Sequence, residues 1–198
     1  MTVKRRKIEQ SEATRSALIK TARKLFARHG YADTDIETVA RRTRVTRGAL
    51  YHHFRDKQDL FFAVFDLEEQ KLAQTVAEAV LTQSSAWEGM LAGCNAFLDA
   101  CLDPAVQRIG VIDALAVLGW ERWHEIDAKY SLRLVTTALQ AAAGQGIIAP
   151  GPMDPLAHLL IGALTEAAIF IAHADHQAAA RREVGKNLVQ LLSGLRQR

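Results

Sequence analysis

Between residues 46 and 57 the chain reads TRGALYHHFRDK, which sets Thr46, Arg47, Tyr51, His52, His53 and Lys57 around a single glycine, Gly48. These types suit a surface that meets a phosphate backbone and reads base edges in a groove. An arginine can hold a guanine edge through two hydrogen bonds, a contact worth ~1–3 kcal/mol of discrimination. A threonine at a helix start offers a hydroxyl beside free backbone N–H groups, which together take a phosphate. Glycine lets the helix come close to the groove. Arg47 and His52 are therefore read as base contacts, and Thr46, Tyr51, His53 and Lys57 as positioning contacts on phosphate. Thr34, at the preceding helix start, and Arg44, a positive charge in the turn, complete the set with Gly48.

Positioning these side chains requires two short helices and a tight turn. Thr34-Asp35-Ile36-Glu37 matches a capping box, predicting a helix from Thr34 to about Thr43 with Ile36, Val39 and Ala40 on one face. Val45 plugs the turn. Thr46 is a second N-cap, opening a helix in which Ala49, Leu50 and Phe54 face the core. Asp56 is a third, heading a long helix from Lys57 to Leu81 with a stripe of Leu60, Val64, Leu72, Val76 and Val80. Upstream, Leu18, Ala22, Leu25 and Phe26 mark a helix over 12–29 that Gly30 terminates. The pattern is that of a helix-turn-helix, whose second helix enters the DNA major groove. Residues 1–11 lack an apolar period and are read as a flexible basic arm. Its KRRK run, Lys4 to Lys7, either follows phosphates or is a solvated tail.

Charge supports the division. Residues 1–60 hold 15 Lys or Arg against 7 Asp or Glu, whereas residues 61–198 hold 10 against 15, so a net +3 conceals a basic first third on an acidic remainder. That is the balance of a polyanion-binding module joined to a body with another task. Two cysteines cannot form a disulfide framework, and the basic N-terminus leads into no apolar signal segment. A cytoplasmic protein is expected.

The remainder also reads as helix: Trp87 to Leu102, a kinked region at Pro104 to Gly110, one long segment from Val111 to Ala143, then Asp154 to Ala174 and Gln177 to Leu195. No strand alternation is present, so the fold class is all-α: an N-terminal three-helix DNA-binding domain over 12–56 and a C-terminal six-helix body over 57–198, linked through helix 57–81. The apolar run Leu156 to Ala172 contains His158, Thr165 and Glu166, and reads as a buried helix rather than a membrane span. It is apolar nearly all round, so one face is most simply buried against a second copy, the alternative being a purely intramolecular core. Leu160, Leu164, Ile171, Val184, Leu188, Leu191, Leu192 and Leu195 are assigned to a homodimer interface formed as a four-helix bundle.

For a pocket in the body, Trp87, Cys94, Phe97, Cys101, Trp120, Trp123, His124, Tyr130 and His158 combine apolar bulk with polar tips. Cys94 and Cys101 share a helix face, as a redox pair or as two small buried hydrophobes. His173 with His176, and His124 with Asp127, each lack further ligands at recognisable spacing, so no metal and no cofactor are expected. No nucleophile elbow, phosphate loop, dinucleotide fingerprint or carboxylate pair argues for an enzyme.

The ordered set Leu25-Phe26, Gly30-Tyr31, Thr34, Val39-Ala40, Val45-Thr46, Gly48, Leu50-Tyr51, His53-Phe54, Lys57 and Leu60 resembles the tetracycline-repressor (TetR) family of bacterial transcriptional regulators. The resemblance implies a homodimer on a pseudo-palindromic double-stranded DNA operator, last two helices that form the dimer, and a body holding a small, largely apolar effector whose binding releases DNA. Thr43-Arg44 departs from the family's frequent Ala-Gly, and Arg44 in a left-handed turn would cost on the order of 1 kcal/mol. Two alternatives stand beside this: a DNA-binding dimer without an effector, and a helical small-molecule-binding or catalytic body to which DNA binding is incidental.

Overall fold

The computed structural model describes residues 2–197, with side chains from Arg5 onward. Its order is α1 (Thr2–His29), α2 (Ile36–Thr43), α3 (Arg47–His53), α4 (Lys57–Leu81), α5 (Ala86–Ala100), α6 (Pro104–Val106), α7 (Ala114–Asp127), α8 (Arg133–Gly144), α9 (Met153–Ala172) and α10 (Gln177–Ser193). Among the described residues there is no β-strand; one antiparallel bridge, Ile148 with Arg196, ties down the C-terminus. The all-α architecture is as expected.

α1 begins earlier than the sequence suggests. Residues 2–11, expected to be a flexible arm, continue the helix, with Arg5 Nε donating to Glu9 Oε1 at 3.0 Å one turn on. Arg, Lys, Glu and Gln have high helix propensity, and an i,i+4 pair extends a helix that core packing has already nucleated. Arg5, Arg6 and Lys7 are fully on the surface of this extension; the side chain of Lys4 lies outside the described residues.

The first cap of the helix-turn-helix is displaced by one residue. Asp35, not Thr34, caps α2, accepting from the Glu37 and Thr38 amides at 3.2 and 3.0 Å. Thr34 is buried, and its hydroxyl donates to the Gly30 carbonyl at 2.7 Å. The other two caps are as expected: Thr46 Oγ1 accepts from Ala49 N at 3.1 Å, and Asp56 Oδ1 from Asp59 N at 2.7 Å. Arg44 closes α2 at φ 61°, the one positive-φ residue other than glycine among the described residues. It is the strained turn position the sequence pointed to.

The expected continuous helix over 111–143 is broken. α6 runs into a π-helical segment, Gln107–Asp113, and a second, Ala128–Leu132, separates α7 from α8. Within α7, Gly119 sits at φ 74°, ψ 167°, a conformation that lacks strain only in glycine and that turns the chain sharply before Trp120.

Two cores result. One joins Leu18, Leu25, Phe26, Leu50, Phe54 and Phe61 of the first four helices to Ile109, Ala114, Leu118 and Ile126 of the π-helical segment and α7. The other holds α5, α8, α9 and α10 around Leu98, Leu139, Ile148, Ile171 and Leu192. The head therefore shares its core with the first wall of the body.

Candidate nucleic-acid interface and body cavity

α3 presents Thr46, Arg47, Gly48, Tyr51 and His52 to solvent, while Leu50 and Phe54 anchor it from behind. Arg47 is held at both sides: its Nη1 lies 2.8 Å from Glu37 Oε1 of α2, and its guanidinium lies 5.5 Å from the Tyr51 ring centre. Glu37, freed from the expected capping box, thus pre-orients the side chain assigned to base reading. Both ends of that pair are exposed, so releasing it for another acceptor costs less than ~1 kcal/mol. His53 is half-buried beside His52, with ring centres 5.2 Å apart. Burial first, then the nearby charges of His52 and Arg15, lowers its pKa below the ordinary histidine value. His53 is therefore biased toward its neutral form, which suits a phosphate as a hydrogen-bond donor rather than as a cation.

Two expected contacts are corrected. Lys57 Nζ donates to the carbonyls of Tyr31, Ala32 and Thr34 at 2.8, 3.2 and 3.0 Å and stands 4.2 Å from the Tyr31 ring centre. An ammonium has three N–H donors, and all three are occupied. Lys57 therefore clamps the loop after α1 rather than offering its charge to a phosphate. The buried Thr34 hydroxyl is likewise spent on Gly30. Arg44 remains exposed beside α3.

The head is also tied to the π-helical segment. Asp113 Oδ2 accepts from the Tyr31 amide at 2.8 Å and from Arg108 Nε at 3.2 Å. Gly30, at φ 78°, leaves the space that the Arg108 guanidinium fills; a Cβ there would lie 2.0 Å from Arg108 Nη2. Gln58 Nε2 donates to the Val117 carbonyl at 2.6 Å, and Arg122 sits 3.6 Å from Asp59 Oδ1. Asp113 is buried, so Asp113→Ala removes the acceptor of the part-buried Tyr31 amide and of Arg108, and is expected to cost ~1–3 kcal/mol of stability in urea unfolding. An unchanged midpoint would show that the clasp contributes nothing.

Behind this segment lies a cavity of about 1160 Å³ between α4, α5, α7, α8 and α9. Cys94, Phe97, Cys101, Trp120, Trp123, His124, Tyr130 and His158 all line it, together with Leu72, Val76 and Val80 of α4. Trp120, His124 and His158 form a stack, with successive ring centres 5.2 and 6.0 Å apart. Trp87 does not reach the cavity; it packs on the second core with the Arg196 guanidinium 5.2 Å from its ring centre. Burial pushes the Cys94 and Cys101 thiols up to about 11 and about 12, which leaves them as apolar wall rather than reactive thiolates. Two acidic residues also line the cavity: Glu69 of α4, unmarked in the sequence, and Asp127 of α7, which the sequence offers only as a candidate metal partner of His124. Burial, followed by the Asp127 and Glu68 charges, raises the Glu69 carboxyl to about 7; burial also raises Asp127, against the influence of His124 and His158.

The expected interface residues on the last two helices divide differently. Leu160, Leu164, Ile171, Leu188 and Leu192 are buried within the monomer, Val184 and Leu195 are half-buried against the same core, and Leu191 is exposed. α9 is apolar all round because it has three faces. Ile171 faces the core, Leu160, Leu164 and Ala168 are buried between the core and the cavity, Ile161, Thr165 and Ile169 reach the cavity, and Leu159, Ala163 and Phe170 form an outer stripe that also carries the exposed Glu166. By length and a mean hydropathy of 1.7, α9 would also pass as a membrane span, yet two of its faces are taken up by packing and by the cavity.

A family model described as "Tetracyclin repressor-like, C-terminal domain" matches residues 87–195, more than half of the chain, and one described as "Bacterial regulatory proteins, tetR family" matches 18–64. The crystal structure of a TetR-family transcriptional regulator from Pectobacterium atrosepticum is 34% identical, with a TM-score of 0.86 over 96% of this chain and 97% of that one. The Transposon Tn10 TetC protein of Escherichia coli is 25% identical over 158 residues, 78% of each chain. The transcriptional repressor AcnR of Corynebacterium efficiens is 36% identical over 70 residues, 35% of this chain and 37% of that protein. The chain belongs to the TetR family and is a DNA-binding transcriptional regulator.

Proposed function

We propose that the protein is a cytoplasmic homodimeric repressor whose two α3 helices occupy successive major grooves of a pseudo-palindromic operator, and which a small molecule in the body cavity releases. The observation that carries this reading is the π-helical segment Gln107–Asp113 with α7. One side of this stretch holds Gly30 and Tyr31 of the head through Arg108 and Asp113, and the other lines the cavity through Gly110, Val111 and Leu115. A ligand that shifts this wall shifts the head, because the two share one packed core. π-Helical turns hold their extra residue at some cost and are concentrated where a helix must be re-aimed. A coupling of ~1–3 kcal/mol would lower operator affinity by roughly 5- to 150-fold.

Assembly rests on the outer stripe of α9. Leu159 and Phe170 are 72% and 58% exposed and lie eleven residues apart, on one line along the helix, with Val189 and Leu191 exposed on the adjacent α10. Large apolar side chains in such a row are covered most simply by the same row of a second copy. AcnR, similar over the head, is named a repressor, which favours repression as the direction of control.

Selecting bound duplexes from a random pool defines the operator and tests base reading directly. Arg47→Ala is expected to weaken that operator by ~1–3 kcal/mol and to relax preference at one base position. Equal weakening on every sequence would instead assign Arg47 to the backbone, with no role in specificity.

A further inference from the structure

The interior charge of the cavity is one-sided. Glu69 and Asp127 both line it, close enough for the Asp127 charge to raise the proton affinity of Glu69. Asp127 is only 7% exposed, and its nearest cation-forming neighbour is His124 Nδ1 at 3.9 Å, beyond hydrogen-bonding reach. Glu69 forms no ion pair among the described residues, unlike its neighbour Glu68, which binds Arg23 and Lys71. No described buried polar atom is both sealed and unpaired, so these carboxylate oxygens open onto the cavity itself. Gly110 borders the Glu69 carboxylate, with a Cβ built there 3.7 Å from Glu69 Oε1, an ordinary contact distance. The cationic side chains that border the cavity do not answer this charge: Lys129 is bound to Asp66 at 2.8 Å, and Arg133 is exposed at the rim.

Glu69 has no cationic partner among the described residues and Asp127 has only the imidazoles of His124 and His158, so in this largely apolar lining the pair takes up protons or favours a positive ligand. We propose that the effector is a lipophilic cation, an aryl-substituted ammonium or phosphonium, which sets its charge between Glu69 and Asp127 and its apolar skeleton against Trp120, Trp123 and the α4 wall. This deepens, and rests on, the assignment of the cavity as the effector site. The aromatic lining adds attraction for a cation that it does not offer an anion, because ring faces are negative.

Tetraphenylphosphonium and tetraphenylborate have the same shape and opposite charge, which isolates the sign. In sodium buffer, titration of the full chain is expected to show the phosphonium binding about tenfold or more tighter than the borate. Glu69→Gln and Asp127→Asn, which keep side-chain volume, are each expected to narrow that preference by about tenfold, with binding of neutral N-phenyl-1-naphthylamine unchanged. Phosphonium affinity should also rise from about pH 6 to about pH 8, because the cation competes with the Glu69 proton. Around Glu69 the charged and titratable groups are Glu68 on its own helix, Asp127 on α7 and Cys101 after α5, while His124 on α7 and His158 on α9 act on Asp127. Tighter borate binding, or a preference unaltered in the double variant, overturns the proposal. Naphthylamine binding without phosphonium binding overturns it while leaving the cavity as a ligand site; binding of none of the three overturns both.

Discussion

Phe170→Glu is expected to leave the chain folded and helical, convert the proposed dimer to monomer, and lower operator affinity by on the order of 10²–10⁴-fold, the usual gain from joining two binding modules. Phe170 is 58% exposed in the monomer, so a carboxylate there remains in water unless a second copy covers it. Once covered, it would be an unpaired charge in an apolar seam, which costs several kcal/mol and removes the drive to associate. Leu159→Glu, three turns away on the same stripe, should act alike. The matching substitutions at Leu188 and Leu192 test something else: both side chains are buried in the monomer, so a glutamate there would unfold the body. Sedimentation and circular dichroism separate the cases. A Phe170→Glu chain that sediments as a dimer would place the seam elsewhere.

The outer stripe of α9 shows where the sequence is ambiguous. In α10 the polar residues are frequent enough to set the phase, and Leu188 and Leu192 are recognisable as one buried face. In α9 nearly every position is apolar, so periodicity cannot tell core from cavity from interface. Burial separates them: Leu164 and Ile171 point inward, Phe170 outward. A helix with three apolar environments has no polar face from which its orientation can be read.

Features governed by contacts within one helical turn are legible. Thr46 and Asp56 cap their helices because a short oxygen-bearing side chain before a helix reaches an amide three residues on. Arg44 lies in the left-handed region because the turn geometry demands it whatever residue stands there. Thr34 and Asp35 are adjacent candidates for the same cap, and local rules rank them about equally; packing of Thr34 against Gly30 decides between them. The aromatic and thiol lining of the cavity is also legible by type, although Trp87, in the first turn of α5, packs on the second core instead.

Glu69 is not legible as cavity lining, and Asp127 only as a neighbour of His124, for a physical reason. Acidic residues on helices are usually solvated, and in sequence Glu69 cannot be told from Glu68, its salt-bridged neighbour. What separates them is about one hundred degrees of helix rotation, which turns Glu68 toward Arg23 of α1 and Glu69 into the cavity. Gly119 is similarly hidden, because a glycine inside a helical pattern is tolerated at ~1 kcal/mol and gives no sign that the chain turns there.

Lys57→Met is the second large effect, and it reverses the natural expectation for a lysine beside a recognition helix. Methionine retains most of the apolar stem but removes the ammonium that Tyr31, Ala32 and Thr34 share. Three carbonyls around the turn from α1 to α2 then lose a charged donor. Lys57 is only half-buried, so water replaces part of what is lost, and the cost is put at ~1–3 kcal/mol rather than the sum of three charged bonds. The loss should appear as a lower urea midpoint and as faster amide exchange at Thr34, whose N–H donates to the Tyr31 carbonyl at 3.3 Å. The salt dependence of operator binding should be unchanged, because no phosphate contact is removed. A phosphate-binding lysine would behave in the opposite way, with the slope of log affinity against log salt falling by ~0.9 and stability intact. Measuring unfolding and salt dependence on one variant therefore decides whether Lys57 binds the protein's own carbonyls or the DNA.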